Sequence, residues 1–113
     1  MSLRALPAAL LVISMGASEA LAGDTAAGKK VYERNCLACH GPSGAGDGPA
    51  ARALRPPPTA FNTAAYWAGK KDADVKAAIK TGRPGTSMMA FGSLEAEQLD
   101  NVVAYLRSLA PAE

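Results

Sequence analysis

Two thiols and an imidazole share one pentapeptide, Cys36-Leu37-Ala38-Cys39-His40, and these are the residues of the chain best equipped for chemistry. Cysteines three positions apart, with histidine directly after the second, have the spacing of a covalent c-type haem attachment site. Each thiol can add across a haem vinyl group, and His40 can then reach the iron from one side. The 113 residues contain no other cysteine and no other histidine, so no second imidazole is available as an axial ligand. Other uses of a CxxC pair fit less well. Zinc takes about four nitrogen or sulfur ligands, and the cysteines and histidine together number three, crowded into one pentapeptide. A thioredoxin-like redox pair would follow a strand in a βαβ unit, whereas the residues before Cys36 are helical in character.

The first 22 residues read as a secretory signal peptide. Arg4 supplies the positive start, Leu6 to Ala17 a mostly apolar stretch, and Ala20-Leu21-Ala22 an A-x-A cleavage signal. That stretch falls short of the roughly twenty apolar residues needed to span a bilayer. Cleavage after Ala22 leaves one domain, residues 23–113, bound for a bacterial periplasm or an equivalent space. Export and CxxCH belong together, because an oxidising compartment would turn a bare CxxC into a disulfide while thioethers escape that fate. The leader removes Arg4 and Glu19 together, so the formal net charge of +2 is unchanged. This is no strongly basic nucleic-acid binder.

About ninety mature residues bury a limited core, and a flat apolar cofactor would enlarge it. Asp24 is placed to cap a helix from Thr25 to about Asn35, which delivers the attachment motif at its C-terminal end. Ala27, Val31 and Asn35, flanked by Gly28 and Tyr32, share one side of it. Gly41 to Pro49 is turn chemistry, expected to let backbone pass close to the haem edge. Ala50 to Leu54 predicts one helical turn before Pro56-Pro57-Pro58 imposes a stiff extended loop. A second helix begins at Asp72 or Asp74, turns Val75, Ala78 and Ile79 inward and stops at Gly82. Ser93 is the expected cap of a third, with Glu95 and Glu97 in its first turn and Leu99, Val102, Val103, Leu106 and Leu109 as its core face. The fold class is therefore all-α, with three main helices and long loops packed around one haem.

An iron held by His40 has a second axial position to fill. The mature chain has two methionines, Met88 and Met89, adjacent in a loop of Gly, Ser, Thr and Pro where a buried helix face cannot explain them. A thioether there favours ferrous over ferric iron and raises the reduction potential.

With these residues in view, the mature chain resembles the class I cytochromes c over essentially its whole length. Gly28 and Tyr32 ahead of Cys36-Leu37-Ala38-Cys39-His40 match the opening element, Gly85-Thr86-Ser87-Met88 with Ala90-Phe91-Gly92 the distal-methionine loop, and Val102-Val103-Ala104-Tyr105-Leu106 the closing helix. The resemblance implies a small cytochrome c fold, Met88 as the distal ligand, and a close crossing of the first and last helices at Gly28 and Tyr105. Met89 stands where the family commonly has proline. It further implies that a proline carbonyl holds the other nitrogen of His40, with Pro49 the first choice and Pro56 the second. Trp67 is expected either to hydrogen-bond a propionate or to form a wall of the pocket, and Arg55 either to face a propionate or to be an ordinary surface arginine.

Filling both axial positions leaves no open site for oxygen or peroxide, so the expectation is not an enzyme but a periplasmic one-electron carrier working between redox protein partners. The runner-up is a haem-bearing subunit of a larger dehydrogenase or oxidase complex. Lys29, Lys30, Lys70, Lys71, Lys76, Lys80 and Arg83 are candidates for a basic docking ring at the haem edge. The exported protein should have the mass of the chain from Gly23 plus one haem; a colourless product with the mass of the bare processed chain would refute the haem assignment.

Overall fold

The carboxylate of Asp24 accepts from the backbone N–H of Ala26 at 2.9 Å and of Ala27 at 3.2 Å, pairing two donors that a helix start leaves free. The computed structural model describes residues 23–111, so the expected signal peptide lies outside the described residues. Within them lie five α-helices: α1, Thr25–Asn35; α2, Leu37–His40; α3, Ala64–Trp67; α4, Asp72–Thr81; and α5, Ala96–Ser108. A 3-10 turn spans Ala51–Ala53, and the described residues contain no strand.

The first and last long helices cross closely. Gly28 is buried at the crossing, where a Cβ would lie 1.9 Å from the Asn101 carbonyl oxygen and 3.0 Å from Tyr105 Cβ. The expected Gly28–Tyr105 approach is present, and the tightest part of it is the α5 backbone at Asn101. The Asn101 side chain also accepts from Asp24 N–H at 2.8 Å, fixing the start of α1 on α5. One turn further on, the Tyr32 and Tyr105 rings pack at 5.2 Å.

Helix α4 starts at Asp72, with the Asp74 carboxylate accepting from Lys71 N–H at 3.1 Å. It ends where Gly82 takes φ 75°, a left-handed conformation that glycine adopts without a Cβ penalty. Val75 and Ile79 are buried with Val31, Tyr32, Phe61, Leu99, Val102, Val103 and Leu106 in one core. Ion pairs Lys76–Asp100 and Arg107–Asp72 span α4 and α5 at the surface. Exposed pairs contribute about 0–1 kcal/mol each, against roughly 1.5–3 kcal/mol for a buried Val or Leu, so apolar burial holds α4 to α5.

Ser93 is not the cap of the last helix. A turn closed by Leu94 N–H on the Phe91 carbonyl, 3.1 Å, occupies that stretch, and the helix begins at Ala96 with Glu95 as N-cap. Gln98 Oε1 accepts from Glu95 N–H at 2.9 Å. Leu94 just before the cap and Leu99 in the second turn both join the core, the arrangement of a hydrophobic staple. Glu97 alone of the two acids remains in the first turn. The expected turn after Ala50 is the 3-10 element, and α3 was not anticipated; Thr63 starts it, its Oγ1 accepting from Tyr66 N–H at 3.3 Å.

Gly28→Ala is expected to lower the urea midpoint. Alanine gains about 1 kcal/mol of helix propensity, but a methyl driven into backbone costs about 2–3 kcal/mol, so the net change is destabilising.

Candidate haem site

Helix α1 ends at Asn35, Cys36 leaves helical geometry (φ −120°), and a single further turn, α2, carries the rest of the motif. His40 N–H bonds to the Cys36 carbonyl at 2.9 Å. Positions i, i+3 and i+4 of a helical turn share a side, so Cys36, Cys39 and His40 all face one cleft of about 290 Å³. No disulfide joins the two cysteines. Before haem is attached, burial, with Cys39 beside it, pushes the Cys36 thiol up to about 11.

The glycine-rich loop after His40 does a different job from the one expected. Gly46 N–H bonds to the His40 carbonyl at 2.8 Å, Gly48 N–H to Cys39 at 3.0 Å and Ala50 N–H to Ala38 at 2.8 Å. A one-turn helix leaves its last carbonyls without intrahelical partners, and this loop supplies the donors. It therefore folds under α2, away from the cleft; a Cβ on Gly48 would lie 2.3 Å from the Ala38 carbonyl oxygen. The Tyr32 hydroxyl, buried, donates to the Gly41 carbonyl and ties α1 to this loop.

His40 is 9% exposed. Its Nδ1 lies 2.9 Å from the Thr59 carbonyl oxygen, so Nδ1–H donates there and Nε2 is left free for a metal. Thr59 takes the place expected of Pro49 or Pro56. The Pro56-Pro57-Pro58 run instead forms one wall of the cleft and brings the Thr59 carbonyl under the ring. Burial lowers the His40 pKa against the opposing pull of that carbonyl, favouring the neutral imidazole that binds metal. Phe61 stacks on the same ring, centroids 4.4 Å apart and planes 28° apart. Sequence carried no signal for Thr59, and Phe61 was visible only as an isolated aromatic in a loop.

Met88, Met89 and Phe91 line the same cleft. Met88 is half-buried and also lines a second, small space together with His40, Phe61, Ile79 and Leu106. Its backbone is held at both ends, Met88 N–H to Thr86 Oγ1 at 3.1 Å and Arg83 N–H to the Met88 carbonyl at 3.3 Å. Met89 is 67% exposed at the rim.

Several neighbouring side chains take partners that the sequence did not indicate. The Trp67 indole donates to the Phe61 carbonyl at 2.7 Å, behind the His40 ring rather than in the cleft. Arg55 turns back on its own loop, donating to the Leu54 carbonyl at 2.8 Å. Among the docking candidates Arg83 borders the cleft, whereas Lys76 pairs with Asp100 and Lys70 Nζ sits 3.9 Å over the Tyr66 ring.

Two thiols, an imidazole with one free nitrogen and a thioether, all lining one apolar cleft, form a donor set suited to haem. The chain belongs to the cytochrome c family: the family described as Cytochrome c matches residues 25–110. It is 34% identical over 97 residues to the cbb3-type cytochrome c oxidase subunit CcoP of Azospirillum sp. (strain B510), an alignment covering 74% of this chain and 30% of that subunit. It is also similar to a chain of the Kuenenia stuttgartiensis reducing HAO-like protein complex Kustc0457/Kustc0458, with TM-score 0.68 and 31% identity over 77% of this chain and 43% of that one. The chain thus spans less than half the length of either relative. As a cytochrome c it carries covalently bound haem c, whose iron supplies a one-electron couple for electron transfer.

Tyr32→Phe leaves the buried Gly41 carbonyl without its donor and should cost about 1–3 kcal/mol. Burial raises the Tyr32 phenol well above its ordinary range, so the folded state keeps a proton that the unfolded state loses above about pH 10. Stability therefore falls as pH rises through that value, and denaturant titrations should show a shallower alkaline decline in Tyr32→Phe.

Proposed function

We propose that this protein is an exported one-electron carrier whose haem is fastened through Cys36 and Cys39, with His40 Nε2 as proximal and Met88 Sδ as distal ligand. The observation that carries this reading is that one cleft is lined both by a buried imidazole, fixed by Thr59, and by a half-buried methionine anchored by Thr86 and Arg83. The greater exposure of Met89 supports Met88 as the iron ligand, with Met89 replacing the family's usual proline.

In this arrangement each residue has one task. The two cysteines fix position, Thr59 holds the His40 tautomer and ring plane, and Phe61 packs the proximal side. The proline run and Phe91 exclude water. With His40 and Met88 both held on the iron, little would rearrange when one electron is gained or lost, and no coordination site would be open for catalysis. Donor and acceptor proteins meet the haem edge at the mouth of the cleft, where Arg83, Met89 and the exposed Pro56 and Pro57 lie. The described residues include no helix long and apolar enough to cross a membrane, which is compatible with a periplasmic location after cleavage.

A second reading has its own support. Both named relatives belong to larger assemblies, an oxidase and a reducing HAO-like complex, and this chain matches part of each. A subunit would migrate with a much larger enzyme on size-exclusion of native extract, a free carrier near its own mass.

Absorption spectra of ferric Met88→Ala and Met89→Ala proteins test the ligand assignment. Met88→Ala should lose the iron–sulfur charge-transfer band and bind carbon monoxide when reduced; Met89→Ala should keep the band. The reverse pattern would move the ligand to Met89, and carbon monoxide binding by the reduced parent would show an open iron.

A further inference from the structure

The side of His40 that faces away from the cleft is wired to the surface, and this is separate from the exposed haem edge. His40 Nδ1–H donates to the Thr59 carbonyl at 2.9 Å; Thr59, Ala60 and Phe61 are consecutive; and the Phe61 carbonyl accepts from Trp67 Nε1–H at 2.7 Å. Two hydrogen bonds and one short stretch of backbone thus join the imidazole to an indole that is itself half-exposed. Aromatic contacts run alongside: His40 on Phe61 at 4.4 Å, Phe61 on Tyr66 at 5.1 Å and Tyr66 on Trp67 at 4.9 Å.

We propose that this continuous chain, His40–Thr59–Phe61–Trp67, is a second electron route that opens on the proximal face at Trp67. It rests on the reading of His40 as an iron ligand. Trp67 and Tyr66 serve it as coupling elements and not as sites where a charge stops. The Arg107 guanidinium carbon lies 4.7 Å from the Trp67 ring centroid and Lys70 Nζ 3.9 Å from that of Tyr66. A cation over a ring is attracted by its π-electrons and for the same reason opposes withdrawing an electron from them. Arg107 is held there by Asp72 and by the Lys70 carbonyl, 3.0 Å from its Nη2. An electron consequently crosses in one step between an outside donor and the iron. His40 Nδ1 keeps its hydrogen, so no proton moves.

A ruthenium bipyridyl label placed at either of two exposed positions on the holoprotein tests this. Ala68→Cys puts it beside Trp67, and Arg55→Cys puts it at the mouth of the cleft between Leu54 and Pro56. On a flash, one electron passes from excited ruthenium(II) to ferric iron, leaving ruthenium(III) and ferrous iron, and haem absorbance reports the rate. Trp67→Phe keeps a ring and removes the N–H donor. It should slow transfer from the Ala68 position severalfold, leave the rate from the Arg55 position and the midpoint potential unchanged, and keep the ferric spectrum. Arg107→Gln, which keeps the indole bond, should leave the Ala68 rate close to its parent value. Equal rates from Ala68 with and without Trp67→Phe would overturn the route, as would an equal fall from both label positions. If no haem absorbance responds from either label, the haem assignment fails first, and the route with it.

Discussion

The pressure of α1 against α5 at Gly28 is the contact on which the rest of the molecule depends. Helices usually keep 8–10 Å between axes because side chains stand between them, and at Gly28 none does on the α1 side. Two consequences follow along the chain. Tyr32, one turn later, is driven into full burial against Tyr105, and its hydroxyl can then hold the Gly41 carbonyl. Cys36, another turn on, emerges with its orientation relative to α5 already fixed. The attachment motif is thus aimed by a glycine eight residues before it.

Much of the site is built from backbone rather than from side chains. A one-turn helix such as α2 has no stability of its own, since helix nucleation is unfavourable. It persists because α1 leads into it and because Gly46, Gly48 and Ala50 supply donors to its exposed carbonyls. The imidazole is likewise fixed by a carbonyl, that of Thr59, and the indole by another, that of Phe61. Residues 59–61 form a hub for the proximal side: one segment orients the proximal ring, packs it and connects it to Trp67. Substitutions there would act through main-chain position, with side-chain identity mattering chiefly at Phe61.

The two methionines show how one sequence feature divides into two environments. Both border the same cleft, yet Met88 is half-buried and also lines the small space shared by His40 and Phe61, while Met89 is exposed. The exposed one, beside Arg83 and the proline run, gives the cleft mouth an apolar rim with a positive charge next to it.

The sequence by itself determined the cysteine–histidine motif, the helical class and the bounds of α1 and α4. Cys36, Cys39 and His40 needed no tertiary information, because their spacing alone brings them to one side of a helical turn. Asp24, Gly82 and the 3.6-residue apolar rhythm from Leu99 to Leu106 are equally local signals. Tertiary structure decided whatever depends on which distant carbonyl a polar group finds. Thr59 instead of Pro49 or Pro56, the inward turn of Trp67 and the return of Arg55 to Leu54 were all of this kind. So was the role of the glycine loop: its composition announced turns, but where its N–H groups would bond depended on which carbonyls α2 left free. The start of α5 fell between these cases, because Ser93 is a good cap in isolation. Burial of Leu94 and the turn from Phe91 moved the helix start to Ala96. A cap is worth about 1 kcal/mol, and burying a leucine against the core outweighs it.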